Sequence, residues 1–321
     1  MSGLKELREI THAYNSFDYQ GHLEEVSDLY HYTSLSTLQK ILKERKLRFT
    51  NWAYLNDKSE GTYALVFCKE HLDAVWTWGD DVDKDNTKDN FRKKLDEAID
   101  DVNKVRRGID DNPPESYQAS FSYKPDSLTM WNYYAQGQGC SLQFSNDLIE
   151  NFRNRLLKPD GMSLIFLHGN VIYKDDKKIE ILRDIFDYFK SCSPTGGVDT
   201  LYACLIECIL KMGAFFKHSG FEDEREYRIV FNLRTTENSN KFIQLVHPEN
   251  GDPYKREVYS KQGMLVPYVD VDFDLKHLQS ISVSPTTNFE KVQTGINIML
   301  FEQGVSKGQI PINQSAIPLR F

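Results

Sequence analysis

The chain lacks several features that would each announce a function. Its five cysteines (Cys68, Cys140, Cys192, Cys204 and Cys208) are odd in number and show no CxxC spacing. A disulfide framework is therefore not expected, and a reducing cytoplasm is the natural compartment. No stretch approaches the ~20 uninterrupted apolar residues that a membrane helix needs. The opening residues MSGLKELREITHAYNSF are polar and periodic, without the apolar core of a signal peptide. Metal ligands are sparse. Cys204 and Cys208 share a helix face, but His218 is the one nearby partner and no pair has ligand spacing, so no metal is expected. Internal repeats and low-complexity linkers are missing too. Basic residues are in deficit, 39 against 47 acidic, for a net charge of −8. That excludes a general, sequence-blind coat for nucleic acid, whose affinity comes from neutralising phosphates with Lys and Arg. A local basic groove is still allowed.

What the chain does have is size and aromatic residues. Its 321 residues include 17 Tyr, 19 Phe and 4 Trp, with 40% hydrophobic residues overall. A disordered chain is excluded, and the length fits one large domain or two small ones. Leu4, Leu7, Ile10 and Tyr14 have helical spacing, which makes residues 1–27 a helical extension. Leu29–Tyr32 reads as a short strand, and Leu35, Leu38, Ile41 and Leu42 line one face of a helix over 35–46. A strand at Leu47–Thr50 follows, then a polar turn, Asn56 to Gly61, capping a helix over 62–76. The charged stretch 79–111 reads as a solvated insertion with a charged helix. Beyond it come a strand at Gln118–Ser122, a helix over 126–136 and a strand at Gly139–Phe144. Helices are expected over 147–157, 177–190 and 199–217, the last nearly apolar all round. The final third reads as strands at Glu226–Leu233, Lys241–His247, Gly263–Val271, Leu278–Ser284 and Ala316–Phe321, with a helix over 289–303. Early strands separated by long helices, and later ones by loops, predict an α+β fold. Residues 28–321 are expected to form one domain.

Four patches carry chemistry: His31-Tyr32-Thr33-Ser34, Asn56-Asp57-x-x-Glu60, Ser127-x-x-Met130-Trp131-x-x-Tyr134, and Glu222 to Arg228. Singly, each has a plain structural reading. A strand histidine is commonly a hydrogen-bonded core residue, Trp131 and Tyr134 form a packing stripe, and an acidic run makes a solvated strand entry. Together they supply a strand-borne His, an aromatic helix and a late-strand Glu.

In that order the motifs resemble a bacterial family catalogued as a domain of unknown function. They are Tyr30-His31-Tyr32-Thr33-Ser34, Asn56-Asp57-x-x-Glu60, Ser120-Phe121-Ser122, Met130-Trp131-x-x-Tyr134-Ala135, Glu224-x-Glu226-Tyr227-Arg228 and Ile317-Pro318-Leu319-Arg320. The family is in turn similar to the ADP-ribosyltransferases. The resemblance implies a split antiparallel β-sheet core with helical insertions and NAD as substrate, with no metal. By that resemblance His31 binds a ribose hydroxyl of NAD, while main-chain groups of Tyr32 and Thr33 hold the nicotinamide amide. Ser122, Ser127, Trp131 and Tyr134 fall where the ring stacked on nicotinamide is supplied, with Tyr134 the first choice and Trp131 the second. Glu226 matches the catalytic acid, and Glu224 the residue that orients the acceptor. If both lie on one strand, they project to the same face. Asn56, Asp57, Glu60 and Arg228 are candidates to support the site from behind the residues that touch substrate, with no agreed role in the wider transferase pattern for the first three. For the first three, a turn-and-cap function stands beside substrate contact.

The activity this implies is mono-ADP-ribosyl transfer, a pentosyl transfer from NAD to a macromolecular acceptor with release of nicotinamide. The acceptor is RNA or protein, and basic groups at Arg153, Arg155 and Lys158, at Lys174, Lys177 and Lys178, and at Arg225 and Arg228 are candidates to grip a single strand, each equally read as an ordinary solvated face. The resemblance also implies toxin–antitoxin or phage-defence modules, with an antitoxin as partner. Two rivals stand beside this reading. One is a non-catalytic module on the same fold that binds a nucleotide or a partner. The other is a hydrolase using Glu224 and Glu226 as an acid/base pair, disfavoured because such pairs flank the bond they cut.

Overall fold

The computed structural model describes residues 28–55, 61–78, 87–107, 116–156, 163–192, 197–234, 255–261 and 263–319. The expected N-terminal helix, the Asn56–Glu60 turn, the strand at 241–247 and Arg320 lie outside the described residues. The chain divides into two compact units, one of residues 25–51, 115–170 and 222–321, the other of 1–24, 52–114 and 171–221.

Among the described residues the first unit has ten strands: β1 (Leu29–Thr33), β2 (Lys46–Asn51), β3 (Ser116–Ser122), β4 (Cys140–Phe144), β5 (Ser163–Asn170), β6 (Glu226–Arg234), β7 (Arg256–Lys261), β8 (Met264–Asp272), β9 (Leu278–Val283) and β10 (Ile312–Gln314). They form one sheet in the order β10-β9-β4-β1-β3-β2-β8-β7, with β6 paired to β3 and β5 to β6. All pairings are antiparallel except β9 with β10. The fold class is α+β, as the element pattern predicts.

Period-2 alternation divides the sheet into two chemically different faces. Leu29, Tyr117, Ala119, Phe121, Leu142, Phe144, Tyr227, Ile229, Phe231 and Ile281 point one way, into the main core. That face is covered by helices α1 (Leu35–Glu44), α6 (Asp147–Leu156) and α9 (Phe289–Glu302), which bury Leu38, Leu42, Phe152, Ile296 and Leu300. Each such side chain, fully buried, contributes about 1.5–3 kcal/mol. Ser34 starts α1 by accepting the Thr37 N–H at 3.2 Å. Arg45 ends it in the left-handed conformation, φ 55°.

One relationship in the sheet sets up the site. β6 pairs along the whole of β3, from Ser116 to Ser122. The other edge of β3 must therefore be shared. It pairs with β2 at Tyr117 and Gln118, and with β1 at Ser122. Between those contacts the sheet forks.

The second unit is helical. Its elements are α2 (Tyr63–Glu70), α3 (Leu72–Val75), α4 (Lys88–Arg106), α7 (Asp175–Cys192) and α8 (Gly197–Gly213). Trp78 donates its indole N–H to Phe186 O at 2.7 Å, and Phe91 sits edge-on to both Phe186 and Tyr202. Gly213 lets α8 approach α2: a Cβ there would stand 2.6 Å from Ala64 Cβ. Lys178 is fully buried, donating to Tyr63 Oη at 2.9 Å and Asp175 Oδ1 at 3.0 Å.

Several elements depart from expectation. The helix expected over 62–76 is two helices broken at His71, whose ring stacks on Phe67 at 4.1 Å. The helix over 126–136 is shorter, α5 (Leu128–Tyr133). β5 and β7 were not expected. The last strand among the described residues is Ile312–Gln314, and 316–319 of the strand expected over 316–321 are not in a ladder, with Ala316 N donating to the Asp126 carboxylate; residues 320 and 321 lie outside the described residues.

Candidate functional site

The polar face of the sheet carries the site. Tyr30, Ser122 and Glu226 form one cross-strand row, and Arg228 lies on the same face opposite Ser120. α5 packs over this face through Met130, Trp131 and Ala135 against Tyr32, with Tyr30, Tyr134 and Ile317 around them.

Trp131 is only 1% exposed, and its ring is edge-on to Tyr32 at 4.8 Å. Its indole N–H donates to Asp126 Oδ1 at 2.6 Å. Asp126 also receives Ser315 Oγ–H at 2.6 Å and the Ala316 N–H at 2.8 Å. Trp131 is thus a packing anchor, and Asp126 fastens α5 to the C-terminal segment. Sequence reading missed Asp126. Its signal was its place just before a helix start, where an acid is usually read as a cap.

Tyr134, at the C-cap of α5, donates its hydroxyl to Glu224 Oε2 at 3.0 Å. Burial holds its proton on, and the negative charges of Glu226 and Glu224 add to that effect. The ring is therefore a neutral phenol standing beside two carboxylates.

The acids themselves are differently mounted than expected. Glu224 is not on the strand. It ends a 3-10 turn, Ser219–Glu224, and β6 begins only at Glu226. Arg225 between them takes φ 41°, in the left-handed region, so strand alternation does not relate the two acids. The Ser122 hydroxyl donates to Glu224 O at 2.7 Å, and the Tyr123 N–H to Arg225 O at 3.0 Å, which pin the turn to β3. Lys124 pairs with Asp223 at 3.0 Å on the same turn. Glu226 is buried with Arg228: Nε donates to Oε1 at 2.8 Å and Nη2 to Oε2 at 3.1 Å.

His31 meets β3 differently. By alternation it points to the Leu29 side of β1, with its ring 5.6 Å from Phe121, whereas Glu226 belongs to the opposite face. It reaches the fork, where Nδ1 donates to Ser120 O at 3.1 Å. Burial lowers its pKa, partly offset by that bond. The imidazole is neutral, and Nε2 is left as an acceptor. Tyr32 donates its hydroxyl to Lys124 O at 2.7 Å and receives the Ser127 N–H at 3.2 Å. Thr33 is buried, and Gly139 brings the chain so close that a Cβ would fall 2.0 Å from Thr33 O. The structure therefore gathers Tyr134, Glu224, Glu226, Arg228 and Ser122, and holds His31 at the fork by its bond to Ser120 O, turned toward the opposite face of the sheet.

Of the basic groups expected to grip a nucleic acid, Lys158 lies outside the described residues, and several others are paired with neighbouring acids at the surface or buried. Arg153 pairs with Glu150 at 3.2 Å, Arg155 with Asp274 at 2.8 Å and Lys177 with Glu180 at 3.0 Å, and Lys178 is buried. No helix of the described residues is long and apolar enough to cross a membrane. No curated protein and no solved structure matches the chain. Residues 130–229, which hold Trp131, Tyr134, Glu224, Glu226 and Arg228, match the family model described as Protein of unknown function (DUF2971), and this supports a place in a family of unknown function.

Proposed function

We propose that the chain is an NAD-dependent mono-ADP-ribosyltransferase acting on a macromolecular acceptor. The observation that carries this reading is the meeting of one neutral aromatic ring, Tyr134, with two carboxylates, Glu224 and Glu226, beside a forked sheet. The fork at Ser120 supports a split-sheet, transferase-like core, at which His31 is held by its bond to Ser120 O.

The charges fit the reaction. Two carboxylates and one guanidinium leave the cluster at about −1. When the bond from ribose C1′ to nicotinamide breaks, the electron pair leaves with the ring and positive charge develops on the sugar, as in glycoside cleavage. Glu226, accepting from the 2′-hydroxyl, stabilises that charge where it develops. Tyr134 orients the departing ring without adding a charge. Glu224, released from the Tyr134 hydroxyl, directs the acceptor and takes the proton its nucleophile gives up as it bonds to C1′. His31 accepts a ribose hydroxyl at Nε2.

One observation favours a second reading, a non-catalytic module that binds a nucleotide, an antitoxin or another partner. Glu226 and Glu224 are already engaged by Arg228 and Tyr134. Incubation with NAD labelled in its adenylate, with cell lysate, separates the two. Label in macromolecules with free nicotinamide supports transfer; its loss on nuclease treatment would name nucleic acid as acceptor, and its survival in protein bands would name protein. Intact NAD and no label would leave the binding reading.

A further inference from the structure

Arg228 is the charged side chain that this mechanism leaves without a task. It is 1% exposed, lies two residues from Glu226 on the same strand face, and engages both carboxylate oxygens, at 2.8 and 3.1 Å. Its cross-strand neighbours are Ser120 on β3 and Gly169 on β5, both too small to crowd a guanidinium lying along the strand. A buried ion pair is weak evidence for stability, since its desolvation opposes its attraction. Its position says more. A carboxylate has two oxygens, and Arg228 holds both from one side, which fixes the plane of the group. Around Glu226, among the described residues, stand Arg228 on its own strand, Ser122 and Tyr30 in its cross-strand row, and the Tyr134 hydroxyl, which donates to Glu224 in the turn before β6. The guanidinium partly offsets the two carboxylates at the Tyr134 hydroxyl, whose proton burial, Glu226 and Glu224 hold on and Arg228 loosens.

We propose that Arg228 is the positioning residue of the catalytic acid: its two-pronged grip fixes the plane of the Glu226 carboxylate and keeps that group ionised beside Glu224. The proposal rests on the reading of Glu226 as the acid. Lysine cannot replace the grip, because an ammonium is a point charge without the planar fork.

The test uses Arg228→Gln and Arg228→Lys in the full chain, with circular dichroism as the folding control. In Arg228→Gln, kcat for nicotinamide release at pH 7 falls about 100-fold while KM for NAD changes little, the signature of a misplaced group. The acid limb of its kcat profile moves up by at least about one pH unit. Arg228→Lys keeps the wild-type acid limb but loses about 10-fold in kcat, because charge is restored and geometry is not. A readout free of turnover is the carboxyl-carbon NMR titration of Glu226, assigned by its loss in Glu226→Gln. It shifts upward in Arg228→Gln. An unmoved titration, or wild-type kcat in Arg228→Lys, would overturn the proposal, and the lysine variant decides alone if the glutamine variant does not fold. A wild-type enzyme that never consumes NAD would overturn the transferase reading instead, and the titration would still decide the role of Arg228.

Discussion

Ser122 and Glu224, 102 positions apart in the chain, are tied by a buried hydrogen bond in which the serine hydroxyl donates to the glutamate carbonyl at 2.7 Å. That bond holds the strained turn at Arg225 against β3, and with it the carboxylate that Tyr134 touches.

Ser122→Ala should therefore cost about 1–3 kcal/mol of stability, the penalty for leaving a buried carbonyl unsatisfied. Urea unfolding measures it. The same variant should lose transfer to the acceptor more than hydrolysis of NAD, because Glu224 is the group set adrift. Equal losses in both would separate Glu224 from the acceptor.

Tyr134 carries a ring and a hydroxyl that can be tested apart. Tyr134→Phe keeps the ring and frees Glu224, and it should stay within about 10-fold of wild-type kcat. Tyr134→Ala removes the oriented face and should fall about 100-fold. Nicotinamide release at saturating NAD checks both. Equal activity in the alanine variant would remove the ring from the site.

Much of this arrangement was legible in the sequence, for physical reasons that differ by element. α1 was readable because Ser34, Leu38, Ile41 and Leu42 obey capping and periodicity together. β3, β4 and β6 were readable as short apolar or alternating runs. β5 was missed because Ser163–Asn170 is a brief apolar run between helices, which periodicity cannot classify. The place of Glu224 off the strand depends on one residue, Arg225, adopting a conformation that non-glycine residues rarely take. The Asp126 clasp joins positions 190 apart and leaves no local pattern.

Asp126 should behave as a structural clasp. Asp126→Ala releases the Trp131 indole, Ser315 and Ala316 at once and should cost about 2–4 kcal/mol. Trp131→Ala should cost about 3–5 kcal/mol, the range for a buried aromatic. Thermal unfolding checks both, and a neutral Trp131→Ala would contradict the packing role.

Stability should depend on pH through His168. Its Nδ1 lies 2.6 Å from Tyr227 Oη and its Nε2 3.2 Å from Arg153, and burial followed by the Arg153 charge lowers its pKa to about 4. The unfolded imidazole titrates near 6.5, so between about pH 6.5 and 4 the unfolded chain binds a proton that the folded chain refuses. Stability therefore falls as pH drops through that window and levels off below it. His168→Asn should flatten the fall, as seen in urea midpoints from pH 7 to 4. An unchanged slope would exclude His168 as its source.

The most direct test of the central claim compares wild type and Glu226→Gln with adenylate-labelled NAD and cell lysate. Wild type should release nicotinamide and place label on a macromolecule. Glu226→Gln, folded by circular dichroism, should do neither above background. Full transfer by the glutamine variant, or none by wild type, would contradict the account.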